Sequence, residues 1–302
     1  MNGQVQDDAL AAFLADRFRL VSLELQPIAV RCAWPVYKGM AYGRPPMFIK
    51  LTSRLAAERT MEFLETVSAP FLPRPMLDEA PDFEGLSVLV LEWKETTQIN
   101  AEDMTDAQVA GFLDGCRQLA KILSDYHGPV APPDEEDSPR SQYEKLVRFD
   151  LRHPLTGRLL KPLLAIPEVE RSYGDHPLVT IHGDLQPKNY GFDGDRIAAV
   201  YDTDDLTEGL ACEDAAYAFT ERARRTELSA AKRRRLTELF RRMVKASSWP
   251  KDEWLIAVNH ARLRIAARRL ESHPDSAFIA FDIARRDKPL RLLAEALKEA
   301  SC

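Results

Sequence analysis

Three polar residues near the middle of the chain have the side-chain types and the spacing that phosphoryl transfer needs. Asp184 and Asn189 lie five positions apart, and Asp202 follows a second apolar segment. Transfer of a phosphoryl group requires a carboxylate beside the attacking hydroxyl and a divalent metal that neutralises the phosphates. Because Mg²⁺ prefers oxygen ligands, we expect Asn189 and Asp202 to be metal ligands and Asp184 to be the catalytic carboxylate.

A small hairpin is expected to bring these residues together. The apolar segments 178–181 and 197–201 are separated by a stretch rich in Gly and Asp, residue types that favour turns. Such a hairpin would return the chain so that Asp202 lies opposite the loop that carries Asp184.

The first third of the chain has the apolar alternation of β-strands, interrupted by one helix. The helix is expected to begin after the N-cap Ser53 and to end near Pro70. Strands are predicted on both sides of it, at residues 25–33, 36–42, 47–51, 74–77 and 87–93. The predicted order is therefore β-β-β-α-β-β.

Beyond residue 96 the pattern changes to helices. Apolar residues from Thr105 to Tyr126 recur every three or four positions, which predicts a helix with one buried face. The change of pattern indicates a boundary near residues 93 to 97, so we expect two lobes, at residues 1–94 and 95–302.

The segment from His182 to Asn189 carries a family resemblance. Its pattern H-G-D-x-x-x-x-N, followed by an Asp at the end of an apolar segment, resembles the catalytic and metal-binding loops of protein-kinase-like enzymes. Gly183 makes the chain similar to the aminoglycoside phosphotransferase and choline kinase-like branch. The resemblance implies a bilobal, protein-kinase-like α+β fold. A small β-rich N-lobe would bind nucleotide, and a larger, mainly helical C-lobe would carry catalysis and bind the acceptor.

The resemblance also implies roles for residues of the C-lobe. Asp184 would orient the acceptor hydroxyl and take its proton, with Asn189 assisting it in catalysis and holding the metal. Asp214, twelve positions after Asp202, would steady the catalytic loop. Lys188 would reach the γ-phosphate, since the protein-kinase lysine of this loop is replaced by glutamine two positions earlier.

Residues of the N-lobe take nucleotide-binding roles from the same resemblance. Lys50, on a predicted strand, would grip the α- and β-phosphates of the nucleotide. Glu58 on the next helix would pair with it, and Glu62, one turn later, is the alternative partner. The segment after the last strand of this lobe would bind the adenine edge through its backbone, with the tryptophan packed nearby: Glu92, Trp93 and Lys94.

Departures from the protein-kinase pattern bear on the mode of action. The expected phosphate-covering segment, Cys32 to Gly39, has a single glycine, so its backbone cannot approach phosphates through the usual glycine-rich turn. No Phe-Gly follows Asp202, and Gly183 stands where an arginine would read a phosphorylated activation loop. We therefore expect a site that is competent for catalysis without prior phosphorylation of an activation loop. Asp204 is either a further metal ligand or a solvated acid.

These residues predict a kinase that uses Mg²⁺ and transfers the γ-phosphoryl group of ATP or GTP to a small-molecule hydroxyl. An aminoglycoside, a sugar, a choline-like compound or a related metabolite would be the acceptor. Two alternatives remain open: a protein kinase that acts on a polypeptide, and a catalytically weak nucleotide-binding pseudokinase that regulates a partner.

Charge is divided unevenly along the chain. The first 220 residues carry an excess of Asp and Glu, whereas the remainder carries an excess of Lys and Arg. The densest basic run, Arg222 to Lys245, could attract nucleic acid or a phosphorylated ligand, but its apolar residues recur at helical spacing. We therefore expect most of its bases on a solvated helix face and no nucleic-acid partner. The acidic loop Asp134 to Asp137 would suit a cationic acceptor.

Composition is typical of a globular domain, with 302 residues, 45% hydrophobic and 29% charged. No apolar segment approaches the ~20 residues that cross a bilayer. The N-terminus has two acids and no early Lys or Arg, so no secretory signal is expected. Four cysteines without a C-x-x-C pair predict reduced thiols and a cytoplasmic protein.

Overall fold

The N-terminal part of the molecule is built on one antiparallel sheet. A computed structural model describes residues 3–28, 34–128, 130, 138–153, 157–272 and 278–299. The sheet contains β1 (Glu24–Pro27), β2 (Val36–Met40), β3 (Met47–Thr52), β4 (Asp82–Phe83) and β5 (Leu86–Glu92). Its spatial order is β1-β2-β3-β5-β4, which places β3 at the centre.

Strand β3 positions Lys50. The register pairs Lys50 with Val36 on β2 and with Leu89 on β5. Since side chains alternate between the two faces of a strand, Lys50 and Phe48 lie on the same face. Leu89 packs against Met61 of the following helix, so this face is turned towards that helix.

Two helices cover the two faces of the sheet. Helix α1 (Gly3–Phe18), which has no counterpart in the predicted order, buries Leu10 against Ile49 of β3. Helix α2 (Arg54–Thr66) lies on the opposite face. It begins at the predicted cap Ser53, whose side chain accepts a hydrogen bond from the Ala56 backbone N–H.

The C-terminal part is mainly helical. Helix α3 follows a capping box in which the side chains of Thr105 and Gln108 each bond the other's backbone, and it confirms the helix predicted from apolar spacing. A single apolar core links this part to the sheet. The helices are α3 (Asp106–Ser124), α4 (Pro139–Arg152), α5 (Gly157–Leu164), α6 (Glu213–Ala223), α7 (Ala230–Ala246), α8 (Lys251–Ser272) and α9 (Ile279–Glu299).

Four short strands near the junction of the two parts differ from the predicted hairpin. They are β6 (Val179–Ile181), β7 (Tyr190–Asp193), β8 (Arg196–Val200) and β9 (Thr207–Gly209). The hairpin joins β7 to β8, and β6 pairs instead with β9. The reason is chain length: only a two-residue turn separates β7 from β8, whereas a whole loop lies between β6 and β7.

The predicted strand at 74–77 is also corrected. Met76 donates its backbone N–H to Val90 and Arg74 accepts that of Glu92, but these two bonds form only an isolated bridge between Pro75 and Leu91. Prolines 73 and 75 lack the N–H that a strand ladder needs, and β4 takes the edge position beside β5 instead. The predicted α+β architecture is nonetheless confirmed, with a small β-rich N-lobe and a larger helical C-lobe. The exact boundary at residues 94 and 95 stays a prediction.

The basic run from Arg222 to Lys245 is largely engaged within the molecule. Arg222 bonds the buried Glu102, with Nε to Oε2 at 2.9 Å, and Lys232 contacts Asp103 at 2.8 Å. Arg233 donates to three backbone carbonyls, which closes the connection between α6 and α7. Much of the positive charge of this run is therefore engaged in contacts within the protein. The expectation of no nucleic-acid partner stays a prediction.

Some predicted features lie outside the described residues: residues 29–33 of the first strand, the start of the phosphate-covering segment at Cys32, and the acidic loop Asp134 to Asp137. Within the described ranges, no helix is long and apolar enough to span a membrane.

Candidate active site

The loop between β6 and β7 holds Asp184 in a fixed position. Asn189 is buried, and its Nδ2 donates to Asp184 twice, at 3.0 Å to Oδ2 and at 2.8 Å to the backbone oxygen. Gln186 Nε2 donates to the same Oδ2 at 2.6 Å. The two predicted catalytic residues are therefore in direct contact, and two side-chain donors hold Asp184 Oδ2.

Asp214 holds the backbone at the start of this loop, as predicted. Its Oδ2 accepts the His182 backbone N–H at 2.8 Å, and its Oδ1 accepts that of Gly183 at 3.0 Å. Asp214 lies in the first turn of α6, where a carboxylate is favoured by the helix dipole. Burial raises the pKa of Asp214, although His182 and the two N–H bonds oppose this effect.

His182 and Gly183 give the loop its shape. The buried His182 ring has Nε2 at 2.8 Å from the Tyr201 carbonyl, which joins the loop to the end of β8. Gly183 has φ of 79°, a left-handed conformation that glycine adopts without steric cost. His182 is thus a structural brace, and the left-handed backbone at position 183 favours glycine.

Lys50 lies against two carboxylates rather than against helix α2. Its Nζ is hydrogen-bonded to Asp202 Oδ1 and lies 2.9 Å from Asp204 Oδ2. The Lys50 side chain is 8% exposed, and those of Asp202 and Asp204 are 19% and 14% exposed. One ammonium group thus links two acids that are two residues apart, in a region sheltered from water.

This cluster shifts the pKa of each member. Burial lowers the pKa of Lys50, but Asp202 and Asp204 outweigh it and raise the pKa above its usual value. Burial likewise raises the pKa of Asp202, and the Lys50 charge reverses this, so its pKa lies below the usual range. The Asp204 pKa is raised, because burial and the neighbouring Asp202 outweigh Lys50.

The predicted pair of Lys50 with Glu58 is corrected by this arrangement. Glu58 is exposed and bonds Arg54 Nε at 2.7 Å on its own helix. Glu62, the alternative, lies one turn later on the same exposed side of α2. Helix α2 buries Ala57, Met61 and their neighbours, whereas both glutamates are exposed and neither is a hydrogen-bond partner of Lys50.

Main-chain and charge contacts join the catalytic loop to Asp202. Tyr201 donates its backbone N–H to the Asn189 carbonyl at 2.8 Å, which places Asp202 one residue from that contact. Lys188 Nζ lies 3.9 Å from Asp184 Oδ2, and its charge also lowers the pKa of Asp202. Asp184, Lys188, Asn189 and Asp202 therefore share one site.

The backbone after β5 contacts Tyr201, the residue before Asp202. It therefore faces the site that holds Asp184, Asn189 and Asp202, which we call the cleft. The Lys94 N–H donates to the Tyr201 hydroxyl at 2.8 Å, and that hydroxyl donates to the Glu92 carbonyl at 3.4 Å, a long hydrogen bond. The Tyr201 ring stacks on Phe48 with centroids 4.6 Å apart. Trp93 lies beside these groups, with Lys38 Nζ 4.6 Å from the centre of its ring.

A small cavity opens beside the catalytic loop, with a volume of about 70 Å³. Tyr173, Glu213, His260 and Arg264 contribute polar groups to its lining. Arg264 Nη1 lies 3.5 Å from the Gly183 carbonyl, which places the cavity next to Asp184. His260 Nε2 is buried without a hydrogen-bond partner among the described residues.

Two aromatic residues of the site, Phe48 and Tyr201, are not among the residues predicted from the sequence. The position of each along the chain nevertheless indicates it. Phe48 lies two positions before Lys50 on one strand, so it had to share the face of Lys50. Tyr201 directly precedes Asp202. The sequence predicts Asp204 as either a metal ligand or a solvated acid, and the structure adds its contact with Lys50.

The chain was compared with known proteins. The model of the phosphotransferase enzyme family matches residues 46–251. No curated protein sequence matches the chain. Among solved structures, the amicoumacin kinase hAmiN, in complex with AMP-PNP, Ca²⁺ and Ami, has a TM-score of 0.62 at 13% identity and covers 96% of each chain.

Two other structures share the fold. A thermostable mutant of the aminoglycoside phosphotransferase APH(4)-Ia has a TM-score of 0.62 at 16% identity and covers 93% of this chain and 98% of its own. The macrolide 2′-phosphotransferase MphH from Brachybacterium faecium has a TM-score of 0.58 at 15% identity, covering 94% and 98%. At such identities the likeness concerns the fold alone.

Proposed function

The chain belongs to the phosphotransferase enzyme family, and on that premise we propose that it transfers the γ-phosphoryl group of ATP or GTP to a hydroxyl group of a small molecule. The observation that supports this most directly is the grouping of Asp184, Asn189 and Asp202 about one backbone hydrogen bond, between Tyr201 and Asn189. A carboxylate and metal-binding oxygens in one place are what phosphoryl transfer requires.

Asp184 is the group that accepts a hydrogen bond from the hydroxyl of the acceptor molecule. Its Oδ2 already accepts from Gln186 and Asn189, whereas no described residue donates to Oδ1. The carboxylate is 17% exposed, so Oδ1 is within reach of a bound acceptor. Asp184 orients the hydroxyl and accepts its proton, and holding the hydroxyl in line is its main contribution.

Asn189 and Asp202 would hold magnesium. The Asn189 amide nitrogen donates to Asp184, so its amide oxygen is the atom that would bind a metal. Within the described ranges, no group of three or more His, Cys, Asp or Glu is arranged to hold a metal ion, so this site depends on an amide oxygen as well as carboxylates. Asp204, beside Asp202, is a further oxygen donor. Bound magnesium neutralises phosphate charge during transfer.

Lys50 and Lys188 supply positive charge on the two sides of the transferred group. Lys50, now paired with Asp202 and Asp204, would bind the α- and β-phosphates. Lys188, close to Asp184, would reach the γ-phosphate. Glu92, Trp93 and Lys94 would contact the base, since the Lys94 N–H and the Glu92 carbonyl both face the cleft.

The acceptor would lie beside Asp184 and place one polar group at the cavity next to Gly183, because a cavity of about 70 Å³ is too small for a whole sugar or aminoglycoside. Its lining combines an acid, Glu213, with two groups that can carry positive charge, His260 and Arg264. The lining of this cavity suits a single hydroxyl or amino group, such as one of those carried by an aminoglycoside, a sugar or a choline-like metabolite. The buried thiols of Cys116 and Cys212 are unpaired, in keeping with a cytoplasmic location.

Transfer of radiolabelled γ-phosphate tests the proposal. The protein is incubated with Mg²⁺ and labelled ATP or GTP, and with a panel of aminoglycosides, sugars, amino alcohols and, separately, of proteins. We expect label on at least one small hydroxyl compound. Label on polypeptides alone would establish the protein-kinase alternative, and nucleotide binding without transfer to any compound would favour a pseudokinase.

A further inference from the structure

The side chain of Tyr201 lies in the part of the cleft where a nucleobase would bind. Its hydroxyl accepts from the Lys94 N–H at 2.8 Å and donates to the Glu92 carbonyl at 3.4 Å. Its ring lies flat against Phe48, with centroids 4.6 Å apart and planes inclined by 25°. The phenol of Tyr201 therefore bonds one backbone donor and one backbone acceptor, and its ring covers the aromatic face of Phe48.

A purine base presents the same three features as the phenol. Adenine has an amino group that donates beside a ring nitrogen that accepts, and a flat aromatic face. A tyrosine hydroxyl can likewise donate and accept at once. With Phe48 and Tyr201 in stacking contact, no space remains for a second ring between them. The phenol and the base thus compete for one position.

We propose that Tyr201 sets the affinity of this protein for the nucleobase, by filling the base position in the free protein until the nucleotide displaces it. This inference rests on the proposed nucleotide-binding function. The backbone of Tyr201 is held at both ends of the residue, through N–H to Asn189 and through C=O to His182, each at 2.8 Å. Displacement therefore involves rotation of the side chain, while Asp202 keeps its place.

Replacing Tyr201 with phenylalanine tests the inference. Tyr201→Phe keeps the ring against Phe48 but removes both contacts with the backbone of Glu92 and Lys94, which frees these groups for the base. Because a net hydrogen bond contributes a few-fold in an equilibrium constant, we expect Mg-ATP to bind about 3- to 10-fold more tightly, measured by calorimetry. Adenosine should gain by a similar factor.

Two controls separate this effect from a general change in the site. Inorganic tripolyphosphate has phosphates but no base, so Tyr201→Phe should leave its binding unchanged. Tyr126→Phe removes another buried tyrosine hydroxyl, one that has no hydrogen-bond partner among the described residues, and should leave ATP affinity at the wild-type value.

Unchanged or weaker binding of ATP and adenosine to Tyr201→Phe would overturn the inference. A gain that is equal for ATP and tripolyphosphate would also overturn it, because the effect would then not involve the base. Failure of nucleotide binding, the part of the proposed function on which the inference rests, looks different: neither the wild-type protein nor the variant would bind any nucleotide.

Discussion

The carboxylate of Asp214 holds the backbone of His182 from thirty-two residues away in the chain, with Oδ2 at 2.8 Å from the histidine nitrogen. The second carboxylate oxygen holds the next residue, Gly183. The bond to His182 is buried and that to Gly183 is partly buried, and together they attach the loop before Asp184 to the start of α6. Asp184 follows directly and takes its position from this attachment.

Replacing Asp214 with asparagine is expected to displace the catalytic loop. An amide has one acceptor oxygen, so one of the two N–H groups would lose its partner, at a cost of about 1–3 kcal/mol in unfolding free energy. We expect kcat to fall while the dissociation constant for Mg-ATP stays within about 2-fold, since Asp214 touches no proposed ligand. Urea unfolding, steady-state kinetics and calorimetry measure the three quantities. Unaltered kcat with lowered stability would mean that the contact is structural only.

A side chain at position 183 is expected to strain the same loop. Gly183 has φ of 79°, and an alanine there costs about 1–2 kcal/mol. Gly43→Ala is a matched control, because Gly43 has φ of 70° in an open turn between β2 and β3 of the sheet. Both variants should lose similar stability in thermal unfolding, but only Gly183→Ala should lose turnover. Equal turnover in the two variants would contradict the positioning role of this backbone.

Asp184→Asn is expected to separate binding from chemistry. The amide retains hydrogen bonds within the loop but cannot accept a proton, so turnover should fall by about 10² or more. Affinity for Mg-ATP should change little, as measured by calorimetry. Asp193→Asn, at an exposed position at the end of β7, is the control and should keep wild-type turnover. Wild-type turnover in Asp184→Asn would show that another group receives the hydroxyl proton.

Asp202 and Asp204 are expected to affect stability in opposite directions as pH changes. Burial acts to raise the pKa of Asp202, but Lys50 outweighs it. Its ionised form therefore stabilises the fold above pH ~4, and this stabilisation is lost as the pH falls through the lowered pKa. The Asp204 pKa is raised by burial and by Asp202. Its contribution is therefore present below pH ~4 and is lost as the pH rises through the raised pKa.

The two asparagine variants test these signs against each other. At pH 7, Asp202→Asn should lower the unfolding free energy by about 2 kcal/mol, as for loss of a hydrogen bond to a charged group. Asp204→Asn should leave it unchanged or raise it. Near pH 3 both differences should shrink. Urea unfolding at several pH values measures them, and equal losses for both variants at pH 7 would contradict the assigned directions.

Features encoded over short stretches of sequence were predictable. Helix α3 follows from apolar residues at helical spacing after Thr105, and Ser53 caps α2 where the side-chain type indicated. The strand predictions that were wrong concern segments whose pairing partners are distant in the sequence. Residues 178–181 were expected in the hairpin, yet β6 pairs with β9, because pairing of short strands depends on what lies beside them in space.

The sequence by itself determined the contact between Asp184 and Asn189, because they are five residues apart and a tight turn brings such near neighbours together. Only the tertiary structure decided the partners of Lys50 and the place of Tyr201. Lys50 is 152 residues from Asp202, and Tyr201 is 107 residues from Lys94. Over such distances the spacing of residues does not determine which faces meet. Burial of apolar side chains turned Glu58 outward and brought Asp202, Asp204 and Tyr201 into the cleft.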